Sequence, residues 1–230
     1  MSKRLLELDF QQTPMGELTL RRRLEPVTGL EVYEVKLGEE FLMSSLFTVA
    51  EIELTRLGLA AHRGQALDVV VGGLGLGYTA LTALEDNRVR TLRVIDALPE
   101  VIGWHRQGLL PHSAALSTDP RCELVHGDFF ALAADGGLGP VDAVLLDVDH
   151  TPHHVLHPSH APFYAPAGLA RLADQLRPGG VFALWSDDPP DEPFVADLRS
   201  VFAAVEAHDV VFDNPLTSST SRNTVYVARR

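Results

Sequence analysis

The chain has 230 residues, of which 46% are hydrophobic and 22% are charged, and its formal net charge is −12. These values are typical of a globular protein of α/β size. The acidic balance argues against nucleic acid as the main ligand, because phosphate binding requires a basic surface, and it suits a small cationic or neutral substrate. A single cysteine, Cys122, excludes an internal disulfide and a cysteine-built zinc site. No apolar run approaches the roughly 20 residues that cross a bilayer, and MSKRLLELDF lacks the apolar core of a signal peptide. We therefore expect a cytoplasmic protein with no membrane partner.

Residues 1–47 predict a small N-terminal β-hairpin region. Apolar and polar residues alternate over residues 16–24 and 30–37, and EPVTG between them is typical of a turn. EFLMSS predicts a third short strand. The spacing of residues 48–62 predicts a helix, in which Thr48 as N-cap and Glu51 three positions later form a capping-box pattern.

Residues 48–230 predict the main domain. From residue 67 onward, segments typical of strands and helices alternate: LDVVVGG, YTALTALED, RTLRVID, PEVIGWHRQGLL, RCELVHGD, VDAVLLDVD, GLARLADQLRPGG, GVFALWS, FVADLRSVFAAVEA, HDVVFDN and TVYVARR. Residues 69–71 and 143–146 are apolar on both faces, as central parallel strands must be. The pattern predicts an α/β fold with a doubly wound, Rossmann-like sheet.

A glycine-rich turn follows the first strand of this domain. Gly73, Gly75 and Gly77 lie in GGLGLG, where missing Cβ atoms let a ligand lie against the backbone and N–H groups at the helix start point toward it. A tight strand-to-helix turn with no ligand has the same sequence pattern.

Acidic residues end the next three strands. Asp96 ends the second strand, where a carboxylate accepts hydrogen bonds from both hydroxyls of a ribose. Asp128 and Phe129 follow the third strand, and Asp128 is placed to accept from an adenine amino group. Asp147 and Asp149 follow the fourth strand, where a pair of carboxylates suits a base or an amine-binding role. Because parallel strands end at one edge of the sheet, we expect a nucleoside site there.

These features, with FYAPAGLARLADQLRPGGVFAL after them, resemble the spermidine synthase family of polyamine aminopropyltransferases. The resemblance implies an S-adenosylmethionine-dependent methyltransferase fold, a small N-terminal β-domain and self-association as a homodimer. It also implies that Asp96 holds the ribose, that Asp128 holds the adenine amine, and that Asp147 is the base that deprotonates an attacking amine. Tyr164 matches the family's FY pair near the substrate pocket.

The sequence departs from this family at three places. Gly75 stands where the family has an aspartate that binds the donor's amino group, His150 stands where it has a second acid, and Ile52-Glu53 replaces a His-Glu pair. A turn without an acid suits the carboxylate of ordinary S-adenosylmethionine, which a fixed aspartate would repel.

We therefore predict a transferase that moves a methyl group from S-adenosylmethionine to a small, amine-containing acceptor. Three alternatives stay open: aminopropyl transfer from decarboxylated S-adenosylmethionine to a polyamine, a non-catalytic nucleoside-binding relative, and a metal-dependent methyltransferase that uses Asp147 with Asp187 or Asp188 as ligands.

Five of the ten histidines lie between Asp149 and Tyr164: His150, His153, His154, His157 and His160. A helix would place several of them on one face, where they could bind a metal, but Pro152 and Pro158 disfavour a long helix. We expect a loop that covers the substrate, and we assign no metal ligand.

Overall fold

An antiparallel sheet of four strands opens the chain in the computed structural model, which describes residues 5–230. The strands are β1 (Leu5–Thr13), β2 (Gly16–Leu24), β3 (Glu31–Leu37) and β4 (Glu40–Ser44), and each pairs with the next. The predicted hairpin is β2 and β3, and EFLMSS forms β4. Sequence analysis did not predict β1, because the pairing of β1 with β2 shifts register between Glu7 and Asp9. Such a bulge breaks the alternation that identifies a strand.

The second sheet has seven strands: β5 (Leu67–Gly72), β6 (Val89–Asp96), β7 (Cys122–His126), β8 (Val141–Leu146), β9 (Leu176–Ser186), β10 (Ala204–Asn214) and β11 (Ser219–Arg229). Their order across the sheet is β10-β11-β9-β8-β5-β6-β7. The strands from β9 to β7 run parallel to one another. Strand β11 pairs antiparallel with both of its neighbours, β9 and β10. The prediction of a doubly wound, Rossmann-like sheet is confirmed.

Eight α-helices are described: α1 (Val49–Ala61), α2 (Tyr78–Glu85), α3 (Pro99–Arg106), α4 (Ser113–Thr118), α5 (Phe129–Asp135), α6 (Ala161–Tyr164), α7 (Pro166–Gln175) and α8 (Glu192–Val201). A 3-10 turn at Pro158–His160 precedes α6. Within residues 5–230, none of the helices combines the length and the apolar character needed to cross a membrane.

Two details of the helix predictions are wrong. The capping box does not form, because the Thr48 side chain makes no capping hydrogen bond to α1. The helix predicted over FVADLRSVFAAVEA stops at Val201, and Ala204 already pairs with Arg229 at the start of the β10-β11 hairpin. Pairing along two 11-residue strands outweighs the helical propensity of the alanines.

The core lies on both faces of the seven-stranded sheet. Val69, Val71 and Leu145 pack on the face covered by α1 to α3, and Val70 and Val144 pack on the face covered by α5 to α8. Successive side chains of a strand point to opposite faces, so residues 69–71 of β5 and 143–146 of β8 are apolar on both faces. These buried central strands hold the residues at their carboxyl ends in fixed positions.

The chain reverses its direction across the sheet between β5 and β8. From β5 it proceeds through β6 to β7 on one side, and β8 then returns to the other side of β5. A crevice forms at the carboxyl ends of the strands where such a reversal occurs. The glycine turn and Asp147 lie at that point.

Candidate active site

A cavity of about 630 Å³ lies at this switch point. Its wall includes the carboxyl ends of β5, β6 and β8, the start of α5 and the loop that follows β8. The N-terminal sheet closes one side with Val35, Leu37 and Met43, and β9 to β11 supply Trp185, Phe212 and Asn223. Most ligand pockets have such a mixture of apolar walls and few polar groups.

The cavity brings together most of the predicted site residues. Gly73, Gly75, Asp96, Asp128, Phe129 and Asp147 all line it. Gly77 does not, and its role is in packing: it has φ +92° at the start of α2, and a Cβ atom there would lie 2.6 Å from Leu116 and 2.9 Å from His105. Asp149 and Tyr164 also lie outside the cavity wall.

The glycine turn touches the backbone of Asp147. Gly73 has φ +91°, and a Cβ atom there would lie 2.1 Å from the carbonyl oxygen of Asp147. The Asp147 N–H donates to the carbonyl of Gly72 over 2.8 Å. Only glycine permits both this φ and this close approach. The turn and Asp147 therefore form one fixed unit.

The N–H groups of the turn are engaged by the protein itself. Gly73 donates to the Ile95 carbonyl (2.9 Å), Leu74 to Asp96 Oδ2 (2.9 Å), Leu76 to Met43 Sδ (3.2 Å) and Gly77 to the Leu74 carbonyl (2.8 Å), while Gly75 faces the Asp96 carboxylate. Met43 also covers Gly75, since a Cβ atom there would lie 2.3 Å from the methionine methyl group. The free row of donors that would suit a ligand carboxylate is not present at this turn.

Asp96 and Asp128 are both held by backbone N–H groups. Asp96 Oδ1 accepts from Leu98 over 2.8 Å. Burial raises the pKa of Asp96, and the N–H donors oppose that shift. Asp128 is the N-cap of α5, and its Oδ1 accepts from Phe130 (2.9 Å) and Ala131 (3.1 Å). Its Oδ2 makes no hydrogen bond within the described residues.

Asp147 shares the cavity with a second carboxylate, that of Glu51 in the first turn of α1. Burial raises the pKa of Asp147 to about 6, and a hydrogen bond from Thr79 Oγ1 over 2.7 Å opposes that shift. Burial, and then the charge of Asp147, raise the pKa of Glu51 to about 8. Two carboxylates that share an apolar site do not both ionise readily. At neutral pH Glu51 holds a proton and Asp147 is ionised.

Asp149 lies behind the cavity wall, where it organises the loop after β8. Its side chain is 1% exposed and accepts from the Leu156 N–H (2.7 Å), His160 Nδ1 (2.9 Å) and the Tyr164 hydroxyl (2.8 Å). Burial and the Asp149 charge hold the pKa of Tyr164 well above its usual range. The geometry places Asp149 and Tyr164 in a supporting network.

The histidine-rich loop lies over the cavity and is tied to its surroundings. His150 Nε2 lies 3.0 Å from Glu40 Oε1 of β4, and His153 Nε2 lies 2.5 Å from Asp191 Oδ2. His150, His157 and His160 line the cavity. Among the described residues, no three His, Cys, Asp or Glu side chains are grouped as metal ligands would be.

Asp187 lies at the opposite end of the cavity from Asp128. Its Oδ1 accepts from Asn223 Nδ2 over 2.7 Å, and its N–H donates to the His150 carbonyl over 2.7 Å. Phe47 and Phe212 also line the cavity, and their ring centroids are 6.2 Å apart. Asp188 is exposed and outside the cavity wall.

Sequence analysis missed three site residues. The sequence pattern places Glu51 in a capping box, Met43 in the predicted short strand EFLMSS, and Thr79 among several polar residues of α2. Glu51 carries no distinguishing signal, because a glutamate in the first turn of a helix has the same sequence pattern whether it caps the helix or enters a cavity. The other two contacts depend on how the N-terminal sheet and α2 meet the turn.

Comparisons with known proteins identify relatives in two activity classes. The chain is 32% identical over 176 residues to "Polyamine aminopropyltransferase 2" of Pseudomonas aeruginosa, an alignment that covers 72% of this chain and 48% of that protein. It is 28% identical over 139 residues to "Putrescine N-methyltransferase 3" of Nicotiana tabacum, covering 58% of this chain and 35% of that protein. The chain thus spans about half the length of the first relative and about a third of the second. No family model matches it.

Solved structures share the fold over nearly the whole chain. A spermidine synthase from Thermotoga maritima has a TM-score of 0.74 at 15% identity, with 97% of this chain and 72% of that chain covered. A spermidine synthase in complex with the transition-state analogue AdoDATO has a TM-score of 0.75 at 16% identity, with 97% and 73% covered. The match includes the N-terminal sheet as well as the seven-stranded sheet.

Proposed function

We propose that this chain, as a member of the spermidine synthase family with its methyltransferase-like fold, is an aminopropyltransferase. Its donor would be decarboxylated S-adenosylmethionine and its acceptor a small amine. The observation that carries the proposal is the pair of carboxylates, Asp147 and Glu51, in the cavity that Asp96 and Asp128 line. A site with two acids and no paired cation is complementary to ligands that bring ammonium groups.

The strand ends supply the groups that a nucleoside requires. Asp96 would accept from the ribose hydroxyls and Asp128 from the exocyclic amine of the base, while Phe129 and the side chains of β6 and α3 provide an apolar wall. The turn at Gly73 lets the sulfonium end of the donor approach the backbone beside Asp147.

Asp147 would accept the proton of the attacking amine. An amine is protonated at neutral pH and cannot attack until that proton leaves. With a pKa of about 6, Asp147 is ionised and ready to accept it. The amine nitrogen then bonds to the donor carbon next to the sulfonium, the bond from that carbon to sulfur breaks, and methylthioadenosine leaves with the electron pair on sulfur. The protein contributes orientation and a proton acceptor.

The donor that this geometry favours lacks a carboxylate. The preference for methyl transfer in the sequence analysis depends on free N–H groups at the glycine turn. Those groups are engaged, one of them by Met43, which also fills the space above Gly75. The ionised Asp147 carboxylate would in addition repel a carboxylate on the donor. The comparisons likewise favour aminopropyl transfer, because a relative with 32% identity over 176 residues bears that name.

N-methylation of a small amine is the second candidate function. The tobacco relative named as a putrescine N-methyltransferase favours it, and it requires the same acceptor proton to be removed. Self-association as a dimer and a cytoplasmic location stay predictions.

The test uses the purified chain with each donor in turn, decarboxylated S-adenosylmethionine and S-adenosylmethionine, against putrescine, cadaverine and spermidine. Mass spectrometry separates the two chemistries, since aminopropyl transfer releases methylthioadenosine and methyl transfer releases S-adenosylhomocysteine. We expect methylthioadenosine with the decarboxylated donor. Release of S-adenosylhomocysteine alone would establish the second candidate, and binding of methylthioadenosine without turnover of any amine would indicate a non-catalytic nucleoside-binding protein.

A further inference from the structure

The ring of His160 forms part of the cavity wall at the end where Asp128 lies. The residue is 9% exposed and lines the cavity. Its ring stacks on that of Phe130, with centroids 3.8 Å apart and planes inclined by 17°. Phe130 donates its N–H to Asp128 Oδ1, so His160 and Asp128 approach the same residue. The stack fixes the plane of the imidazole ring.

Asp149 fixes the protonation pattern of that ring. His160 Nδ1 lies 2.9 Å from Asp149 Oδ1, and Asp149 also accepts from the Leu156 N–H and the Tyr164 hydroxyl. Because three donors surround the Asp149 carboxylate, its oxygens act as acceptors. Nδ1 of His160 therefore donates to Asp149, and Nε2 is the acceptor of that tautomer. No partner for Nε2 is found in residues 5–230, and it is not sealed from the cavity.

We infer that His160 is a specificity-determining residue, whose Nε2 accepts a hydrogen bond from the exocyclic amino group of a purine base while Asp128 Oδ2 accepts the second. The inference rests on the proposed function, because it assumes that a nucleoside occupies this end of the cavity. A primary aromatic amino group has two N–H donors in one plane, which matches two acceptors on neighbouring residues.

The same arrangement disfavours a 6-oxo base. A carbonyl oxygen at this place would face Nε2 and the Asp128 carboxylate with no donor between them, and both acceptors would lose their water without a replacement bond. A ligand that covers two acceptors without supplying the matching donors therefore binds less tightly. Asp149 acts through His160, as a positioning residue that keeps Nε2 free to accept.

Calorimetry with 5′-methylthioadenosine and 5′-methylthioinosine tests the inference. The first has a 6-amino group and the second a 6-oxo group, which brings a proton onto N1. The variant His160→Phe keeps a planar ring against Phe130 and removes Nε2. We expect it to weaken binding of methylthioadenosine about fivefold to tenfold and to leave methylthioinosine within about twofold. His153→Phe is the matched control, because the His153 side chain is 72% exposed and paired with Asp191 outside the cavity.

His160→Gln provides a second variant, whose amide oxygen can accept in place of Nε2. Partial recovery of the preference for the amino compound in this variant supports the inference. A preference that is unchanged in both folded variants overturns it and leaves the proposed function intact. Failure of the wild-type chain to bind methylthioadenosine overturns the proposed function and this inference together.

Discussion

Burial opposes the ionisation of both Glu51 and Asp147. Each has a raised pKa, and no cationic side chain of the described residues forms a salt bridge with either. Holding two acids in an apolar wall costs stability, and active sites are where such costs are usually found. A bound ammonium group would offset the cost by letting both carboxylates ionise.

Replacing Asp147 with asparagine tests its role as the proton acceptor. Asn is close to Asp in shape but cannot take up a proton, so turnover should fall about 10²-fold to 10⁴-fold while the dissociation constant of the donor changes little. Steady-state kinetics and calorimetry on the same preparation measure the two effects. Asp188→Asn is the control, since Asp188 is exposed outside the cavity wall. An unaltered rate in Asp147→Asn would assign the base to another residue.

Replacing Glu51 with glutamine tests the second carboxylate. Glu51 would ionise when the ammonium group binds, and glutamine cannot, so the KM of the amine should rise about tenfold. The change in kcat should be smaller, because Asp147 handles the proton. Glu53→Gln is the matched control on the same helix: Glu53 pairs with Arg56 at 3.1 Å and lies outside the cavity. Equal effects of the two changes would show that only net charge matters.

The roles of these residues differ in how far the sequence reveals them. Asp96, Asp128 and Asp147 each follow a recognisable strand, and the fold places strand ends together, so their shared location was predictable. Glu51 was not, because a glutamate three residues after a threonine has the same pattern whether it caps a helix or enters a cavity. Asp149 and Asp147 are equivalent in the sequence, and only the packing of the loop separates the cavity-lining residue from the buried one.

At the scale of elements, the contact between β4 and the glycine turn decides what the turn offers to a ligand. Met43 projects from β4 onto Leu76 and Gly75, which belong to the turn between β5 and α2. Under the proposed function, the N-terminal sheet would therefore contribute directly to recognition of the donor. A thioether is a weak acceptor, so this contact holds the N–H loosely compared with a carboxylate.

Met43→Ala should change the choice between donors. The change frees the Leu76 N–H and opens space above Gly75, so the affinity for S-adenosylmethionine relative to its decarboxylated form should rise about tenfold. Calorimetry with both donors gives the ratio directly. Met15→Ala is the control, because Met15 lines the cavity without touching the turn. An unchanged ratio would mean that Met43 only fills space.

Elements were predictable where one local signal dominated. The apolar runs of β5 and β8 and the periodicity of α1 and α2 identify them without tertiary information. The start of β10 was read as helix because its alanines favour helix, and only the partner strand β11, more than ten residues further along the chain, reverses that preference. A short segment of sequence contains only one of the two strands, so it cannot reveal their pairing.

At the scale of the whole molecule, two sheets enclose one cavity. The seven-stranded sheet supplies the carboxylates at its switch point, and the four-stranded sheet closes the opening with apolar side chains. The net charge of −12 adds a general attraction for cations. The enclosure excludes water from the carboxylate pair, which is why burial is the first cause of both raised pKa values.

The raised pKa of Glu51 makes the stability of the whole molecule depend on pH. Below pH 4.5, the ordinary value for glutamate, both the folded and unfolded chains hold the proton, and this group has no effect. Between pH 4.5 and about 8, the folded chain holds the proton and the unfolded chain does not, so the free energy of unfolding falls as pH rises. Above about pH 8, Glu51 is ionised in both the folded and the unfolded chain. The free energy of unfolding is then lowered by the full cost of burying the Glu51 charge.

Glu51→Gln should therefore stabilise the protein at high pH and have little effect at low pH. Glutamine cannot ionise, so we expect the Tm of the variant to exceed that of the wild type by several °C at pH 8.5, for a penalty of at most about 5 kcal/mol, and to match it near pH 4. Comparing variant and wild type at each pH cancels the titration of the other groups, and Glu53→Gln controls for the loss of one negative charge. A Tm difference that is the same at both pH values would show that Glu51 is ionised in the folded protein throughout. In that case the wild-type site would already carry two negative charges when the amine arrives, and binding the cation would release no proton.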